Sequence, residues 1–549
     1  MKKTILAGAS IAALAISGPA FAQSNSSTVT QSGTNSTVGV TQGGPDGGNN
    51  SVVDQSADDS SVTVEQLGVL ITGATANRND SNITQSGSNQ VITSFQQGDE
   101  NTSTMDQSGG DNNSDLSQGG LGNASGMTQG GSFNQITVSQ DGDDNTSNVT
   151  QTGQNAVATT QQILAGNSAT VTQSGSVGDD SFIDQSGSDN TATVSQTDTG
   201  TATTGNDSDI FQSGNSNTAN VLQDSSANTT PGMSSTISQS GSNNTANVTQ
   251  EGIAEQSTIT QSSDNNSATV TQDFRTNGGG FAAGNNFATI DQGGAGAHTA
   301  TITQLTLFNN ATSTQTGSTN ISTINQGDGV AGFFTRHNAT SNQSGADNTS
   351  TITQTGDFQE SSVTQSGDAN TSDVTQDLVD NNAQIVQSGN GNGSTVSQTG
   401  DNELVFVDQV GDSNTSFALQ NGVTNSADVD QDGTGGGSNI FQAGISNTAS
   451  LIQSGDNNDS AIDQSAFGTG TGNDADIQQT GNGNFSGVEQ GFNSDSNNNL
   501  ATVLQSGNNN TSLVFQEGDN HNASVTQSTD GNFSSVSQSG AGNMTTVNQ

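Results

Sequence analysis

The chain has 549 residues, of which 26% are hydrophobic and 4% aromatic, with 70 Gly and no Cys, Trp or Tyr. Five Lys and Arg against 52 Asp and Glu give a formal charge of −47. Such a chain cannot fill a thick hydrophobic core, has no thiols for disulfides or metal sites, and repels nucleic acid and anionic membrane surfaces.

In chain order, the first element is residues 1–22. Lys2 and Lys3 precede the apolar run "TILAGASIAALAISG", and Ala20-Phe21-Ala22 forms an A-x-A cleavage site. This reads as a secretory signal peptide, which places the mature chain outside a bacterial inner membrane, beginning at Gln23. The apolar run is too short for a membrane anchor, so no membrane insertion of the mature chain is expected. Its removal leaves Arg78, Arg275 and Arg336 against 52 acids, a formal charge of 3 − 52 = −49.

From Gln31 onward the sequence repeats itself. Anchoring on Gln31, Gln42, Gln55, Gln66 and Gln85 and continuing to Gln549 gives 44 anchors and 43 intervals, 33 of them 11 residues long. The other ten are all longer, from 12 to 20 residues. Val, Ile, Leu or Met stands two residues before the anchor in 39 of 44 units, and Asn six before it in 31. Gly stands two residues after it in 31 of the 43 units with a successor. A period held this long is the signature of a repeat architecture.

Residues spaced by two along a β-strand share a face. In "QSGSNNTANVTQ", Asn244, Ala246, Val248 and Gln250 therefore face one way, and Thr245, Asn247 and Thr249 the other. The intervening segment, with Gly241, is turn chemistry. Each unit is one strand and one turn, and two units make a rung of about 22 residues. The expected fold is all-β: a flat cross-β solenoid with two strands per rung, about 105 Å long for about 22 rungs.

Stacked rungs put like residues above like, so Gln and Asn amides are expected to hydrogen-bond along the stack. The inward ladder includes Gln239, Gln250, Gln261, Gln354, Gln365, Gln376, Gln387, Gln398 and Gln409. Asn244, Asn266, Asn348, Asn370 and Asn414 form the Asn column. Val248, Ile352 and Val363 supply the apolar row, and Gly241, Gly356 and Gly367 the corners. Gln31 and Gln42 at one end, and Gln538 and Gln549 at the other, mark the edge strands, with no capping feature in view.

The domain reading is one continuous solenoid over 23–549, interrupted by insertions at about 43–54, 67–84, 197–211, 224–238, 273–291, 327–342, 465–478 and 491–504. Pro45, Pro231 and all three arginines of the mature chain fall in over-long intervals, where a missing N–H does no harm. Seven of the ten longer intervals follow an odd-numbered anchor, which predicts seven loops along one edge.

No catalytic constellation is present, and neither cofactor nor metal is called for. His298, His337 and His521 all occupy the Asn position of the repeat and read as ladder substitutions. Asp106, Asp184, Asp291, Asp408, Asp430 and Asp463 precede anchors and face outward. They read as gatekeepers against premature association rather than as cation ligands. The nonapeptide of calcium-binding β-rolls does not repeat here. "TVT" and "TIT" triplets are a weak pointer to an ice-binding array.

The offsets of Gln, Gly, Asn and Gln in "QSGS" followed by "NNTANVTQ" resemble the curlin repeat of bacterial curli fibres, over essentially the whole mature chain. The resemblance implies a secreted amyloid subunit that polymerises at the cell surface into biofilm matrix and adhesive fibres. It also implies an outer-membrane secretion pore and a nucleating partner. Curlin precursors carry fewer repeats and a separate export segment after the signal peptide; here the repeat starts almost at once, at "NSSTVTQ". The expected function is structural and non-enzymatic: self-assembly by templated stacking of rungs. The alternative is a monomeric acidic solenoid that binds a surface, cations or ice without polymerising.

Overall fold

In the computed structural model the described residues are 25–44, 48–68, 78–175, 178–198, 204–225, 232–273, 284–327, 335–464, 470–491 and 496–549. Within them the chain folds into 44 short β-strands, from β1 (Ser26–Gln31) and β2 (Thr37–Gly43) to β43 (Phe533–Ala541) and β44 (Met544–Asn548). Thr, Val and Ile at alternating positions favour the extended backbone, and side-chain burial alternates accordingly. Along Thr245–Glu251, Ala246, Val248 and Gln250 are buried and their neighbours half-exposed.

Odd-numbered strands form one sheet of 22 and even-numbered strands a second sheet of 22. All pairing is parallel, each strand bonding to those one rung before and after it. Both sheets are open. β1 pairs with β3 (Asn50–Gln55), β2 with β4 (Ser61–Leu67), and the series ends at β43 and β44. Two open edges therefore stand at each end of the described stack.

Register follows the repeat and not the residue count. Thr349 pairs with Thr371, 22 residues on, but Thr218 pairs with Thr245, 27 residues on. In both cases anchor meets anchor: Gln354 with Gln376, Gln223 with Gln250. Slipping by one residue would turn every Val row outward, so the register is strongly specified and inserted residues are expelled between strands. Odd strands share one edge at their C-terminal ends, and seven of the ten long intervals follow odd strands. The paths of most inserted residues, with Pro45, Pro231 and Arg275, lie outside the described residues, as does 1–22.

The core is a single narrow seam between the sheets, one Val/Ile/Leu/Met row and one Ala/Ser row from each side. Val248, Ile352 and Val363 lie in it with at most 2% exposure. At the corners, the residue before the Asn position is left-handed, as in Asn243 at φ 57° and Asp347 at φ 57°. Gly356 and Gly367 also take positive φ, 86° and 98°. Gly241, at its own corner, does not take positive φ. It must be glycine because a Cβ there would lie 2.1 Å from the Ser263 carbonyl oxygen of the next rung.

Candidate assembly ladder

Every anchor Gln from Gln31 to Gln538 in the odd sheet is joined to the next by one hydrogen bond, Nε2 donating to Oε1 at 2.6–3.1 Å. The even sheet holds an equally unbroken column from Gln42 to Gln549, at 2.8–2.9 Å. Gln239, Gln261, Gln365, Gln387 and Gln409 stand in the even column; Gln250, Gln354, Gln376 and Gln398 in the odd. All nine are buried.

The second Nε2–H crosses the sandwich. Gln250 donates to the Ser234 carbonyl at 3.0 Å and Gln354 to the Asn338 carbonyl at 3.0 Å, each on the preceding strand of the facing sheet. One amide thus ties rung to rung and sheet to sheet. A buried amide left unpaired would cost about 1–3 kcal/mol; here the column satisfies it.

The Asn column works differently from the expected amide-to-amide ladder. Asn348 Oδ1 accepts the backbone N–H of Asn370 at 2.9 Å, and Asn244 Oδ1 accepts that of Asn266 at 2.8 Å. Nδ2 donates to corner carbonyls: Asn348 to Ser344 at 3.0 Å and to Gly367 of the next rung at 2.7 Å. Asn370 and Asn414 repeat this, with Gly389 and Gly433 as the next-rung acceptors. The reason is position. The Asn sits just before the strand, and its side chain is one methylene shorter than Gln, so it meets corner backbone groups instead of another amide. Where both bonds form, it caps its corner with the corner above it; the Nδ2 of Asn206, Asn244, Asn286, Asn458, Asn484 and Asn510 donates to neither.

Several substitutions in this column keep the same bonds, though Gln90 bonds with neither amide atom. His298 Nδ1 accepts the Asn320 N–H at 3.2 Å, and its Nε2 lies 2.8 Å from the Gly293 carbonyl. That pairing fixes the neutral tautomer with the proton on Nε2. Burial, foremost, holds its pKa below the usual histidine value. His337 and His521 likewise face the next rung's N–H through Nδ1, at 3.4 and 3.2 Å. Gln359 substitutes with both halves of the amide in use.

Three acids in the column carry a feature the sequence reading did not single out. Glu255, fully buried, accepts the Asn286 N–H on Oε2 at 3.0 Å, and burial pushes its carboxyl up to about 8. Asp179 accepts the Asn206 N–H at 3.0 Å and is pushed up to about 6, again chiefly by burial. Glu403, raised mainly by burial, takes the Gly400 N–H and an Asn425 amide proton. Their place six residues before an anchor was the available signal.

The outward Asp residues lie where the alternation put them. Asp106 and Asp291 are exposed, and Asp184, Asp408, Asp430 and Asp463 half-buried. Asp408 and Asp430 face each other across adjacent rungs. Desolvation first, and then neighbouring acids, hold both carboxyls above the ordinary range. Among the described residues no group of three His, Cys, Asp or Glu is placed to hold a metal ion.

At the stack ends the pattern is open. Val29 of β1 is 46% exposed, whereas its interior counterparts Val53 and Ile83 are at most 1% exposed. Val547, the core-row residue of β44, is half-buried, whereas its interior counterparts Val525 and Val503 are 1% exposed. Among the described residues, Gln538 and Gln549 donate to no further Gln, and none donates to Gln31 or Gln42.

Comparison with known proteins agrees with this geometry. The curlin associated repeat matches seven segments: 126–153, 165–197, 203–252, 345–377, 380–411, 400–433 and 496–528. A search of curated proteins finds no match. The matched segments run from the early rungs to the last ones, and each spans the Gln and Asn columns described above: the chain is a curlin-repeat protein.

Proposed function

We propose that the chain is a secreted structural subunit that assembles by head-to-tail stacking of solenoids into extracellular, curli-like amyloid fibres serving matrix and adhesion. The observation that carries this is the pair of open ends. Among the described residues, the first rung offers Gln Oε1 acceptors and the exposed core-row Val29, the last Gln Nε2 donors and the half-buried core-row Val547. Stacking a second copy continues both sheets, both Gln columns and the seam with no new kind of contact. Export through a curli-type outer-membrane pore and a nucleating partner belong to the same proposal, resting on the curlin repeats. No catalytic step is part of it.

The test is incubation of the purified mature chain, followed by thioflavin fluorescence and electron microscopy. Growth of fibres seeded by preformed fragments is the expected result. Chains that stay monomeric at high concentration and lowered pH would overturn the reading.

A further inference from the structure

The two outer faces of the solenoid differ in charge. On the odd sheet, the ten strands from Ala124–Gln129 to Thr349–Gln354 present three outward positions each before their anchor Gln, thirty in all. Nineteen are Thr, three Ser and four Asn; the rest are Ala124, Gly126, Leu222 and Ile321. None is charged. The even sheet over the same rungs carries Asp180, Asp184, Asp207, Asp209, Asp291 and Glu360. In a chain of net charge −47 this is a large area with few charges: on the same face only Asp224, Glu251 and Asp273 stand among these strands, one residue past the anchors of three of them.

Ten strands at about 4.8 Å, each about 20 Å wide, make a flat lattice of about 950 Å². A stable interface needs about 800 Å² per partner. The same face runs on toward the C-terminus into exposed Phe417, Phe441 and Phe515. A second copy of this chain is the occupant these facts select. Its row spacing is identical by construction, so Thr rows of the two faces stay in step over the whole patch, as they do in paired cross-β sheets.

We propose that two solenoids pair face to face through their odd sheets over residues 124–354. Pairing thickens the fibre laterally and uses a surface separate from the stacking ends. It rests on the fibre reading for its setting, but discrete chains test it independently.

The experiment compares the mature chain with two triple variants carrying equal added charge at matching rungs. One is Asn247→Asp, Thr269→Asp, Thr301→Asp on the odd face. The other is Thr258→Asp, Thr289→Asp, Thr312→Asp on the even face. Sedimentation of freshly dissolved chains in moderate salt reads dimers, and mass per length by electron microscopy reads filaments. Wild type and the even-face variant should dimerise and form double filaments. The odd-face variant should weaken dimerisation at least tenfold and leave single filaments of unchanged circular dichroism. Single wild-type filaments, or equal loss in both variants, would overturn pairing while leaving the fibre reading intact. Dimers without filaments would do the reverse. A wild type that stays single but is retained on crystalline polysaccharide or in growing ice through this face would assign it to a hydroxyl lattice, and pairing would fall.

Discussion

Replacing Glu255 by Gln should stabilise the solenoid, by an amount that grows with pH. The buried carboxyl titrates at about 8 in the fold against 4.5 for an unperturbed Glu. Because the folded state holds its proton to higher pH, the wild-type rung is most stable below pH 4.5. It loses stability as the pH rises through the window to 8 and is flat above it. The difference of about 3.5 units amounts to roughly 5 kcal/mol at pH 9, and to under 1 kcal/mol at pH 5. Gln cannot ionise, and the geometry it would adopt is already present at Gln359. There Oε1 accepts the Asn381 N–H at 3.1 Å and Nε2 donates to Thr355 and Leu378 carbonyls at 3.1 and 2.7 Å. Rungs open locally, so the readout is hydrogen exchange at Asn286, whose N–H bonds Glu255, and at Ser234, whose N–H bonds the Glu255 carbonyl. The variant should exchange roughly a thousandfold more slowly than wild type at pH 9, and less than tenfold more slowly at pH 5. Equal ratios at the two pH values would refute the buried-acid argument.

Four further outcomes are expected. Gln354→Ala strands the Gln326 donor and the Gln376 acceptor and should cost about 3 kcal/mol in urea unfolding, with exchange accelerated on both neighbouring rungs. Ser350→Ala should gain about 1 kcal/mol, since its buried Oγ has no hydrogen-bond partner and Ala is the other common residue of that row. His298→Asn should remove an acid-side weakness. The folded pKa is depressed, so the unfolded state takes up the proton first, and wild-type stability falls as pH drops below 6.5, which thermal melts at pH 5 and 7 compare. Val29→Asp, on the open first strand, should slow seeded fibre growth at least tenfold while leaving exchange in interior rungs unchanged; growth at the wild-type rate would argue against stacking at that end.

The period made most of the fold readable. With Gln, Val and Asn fixed at offsets of two and six, strand, face and register followed without any long-range information, because each rung's partner is its own repetition. What the spacing could not distinguish was the chemistry of the two amide columns. Gln354 and Asn348 have the same functional group and the same parity, yet only the longer side chain reaches its own kind. The difference lies in the corner, where Asn348 stands outside its strand beside free backbone groups. Gly241 sits at its corner for a reason the spacing does not show. A glycine in a turn suggests a special φ, whereas the demand at this one comes from the carbonyl of the neighbouring rung. Beyond their place six residues before an anchor, nothing in the spacing marks Glu255 and Asp179; burial shows them as acids held in an amide's place. The face asymmetry was obscured because odd and even units alternate along the sequence and so mix their outward residues.

The direction of the Gln bonds has an electrical consequence. In both columns every Nε2 points toward the C-terminal rung and every Oε1 toward the N-terminal one. The side-chain amides therefore form two head-to-tail chains of aligned dipoles along the axis, while a sheet's own backbone contributes only a small net moment. These amides pole the solenoid, with the positive end of their moment at Gln549 and the negative end at Gln31. Units stacked end to end would add these moments to the negative field of the acidic side chains, so the two tips of a fibre would differ in potential.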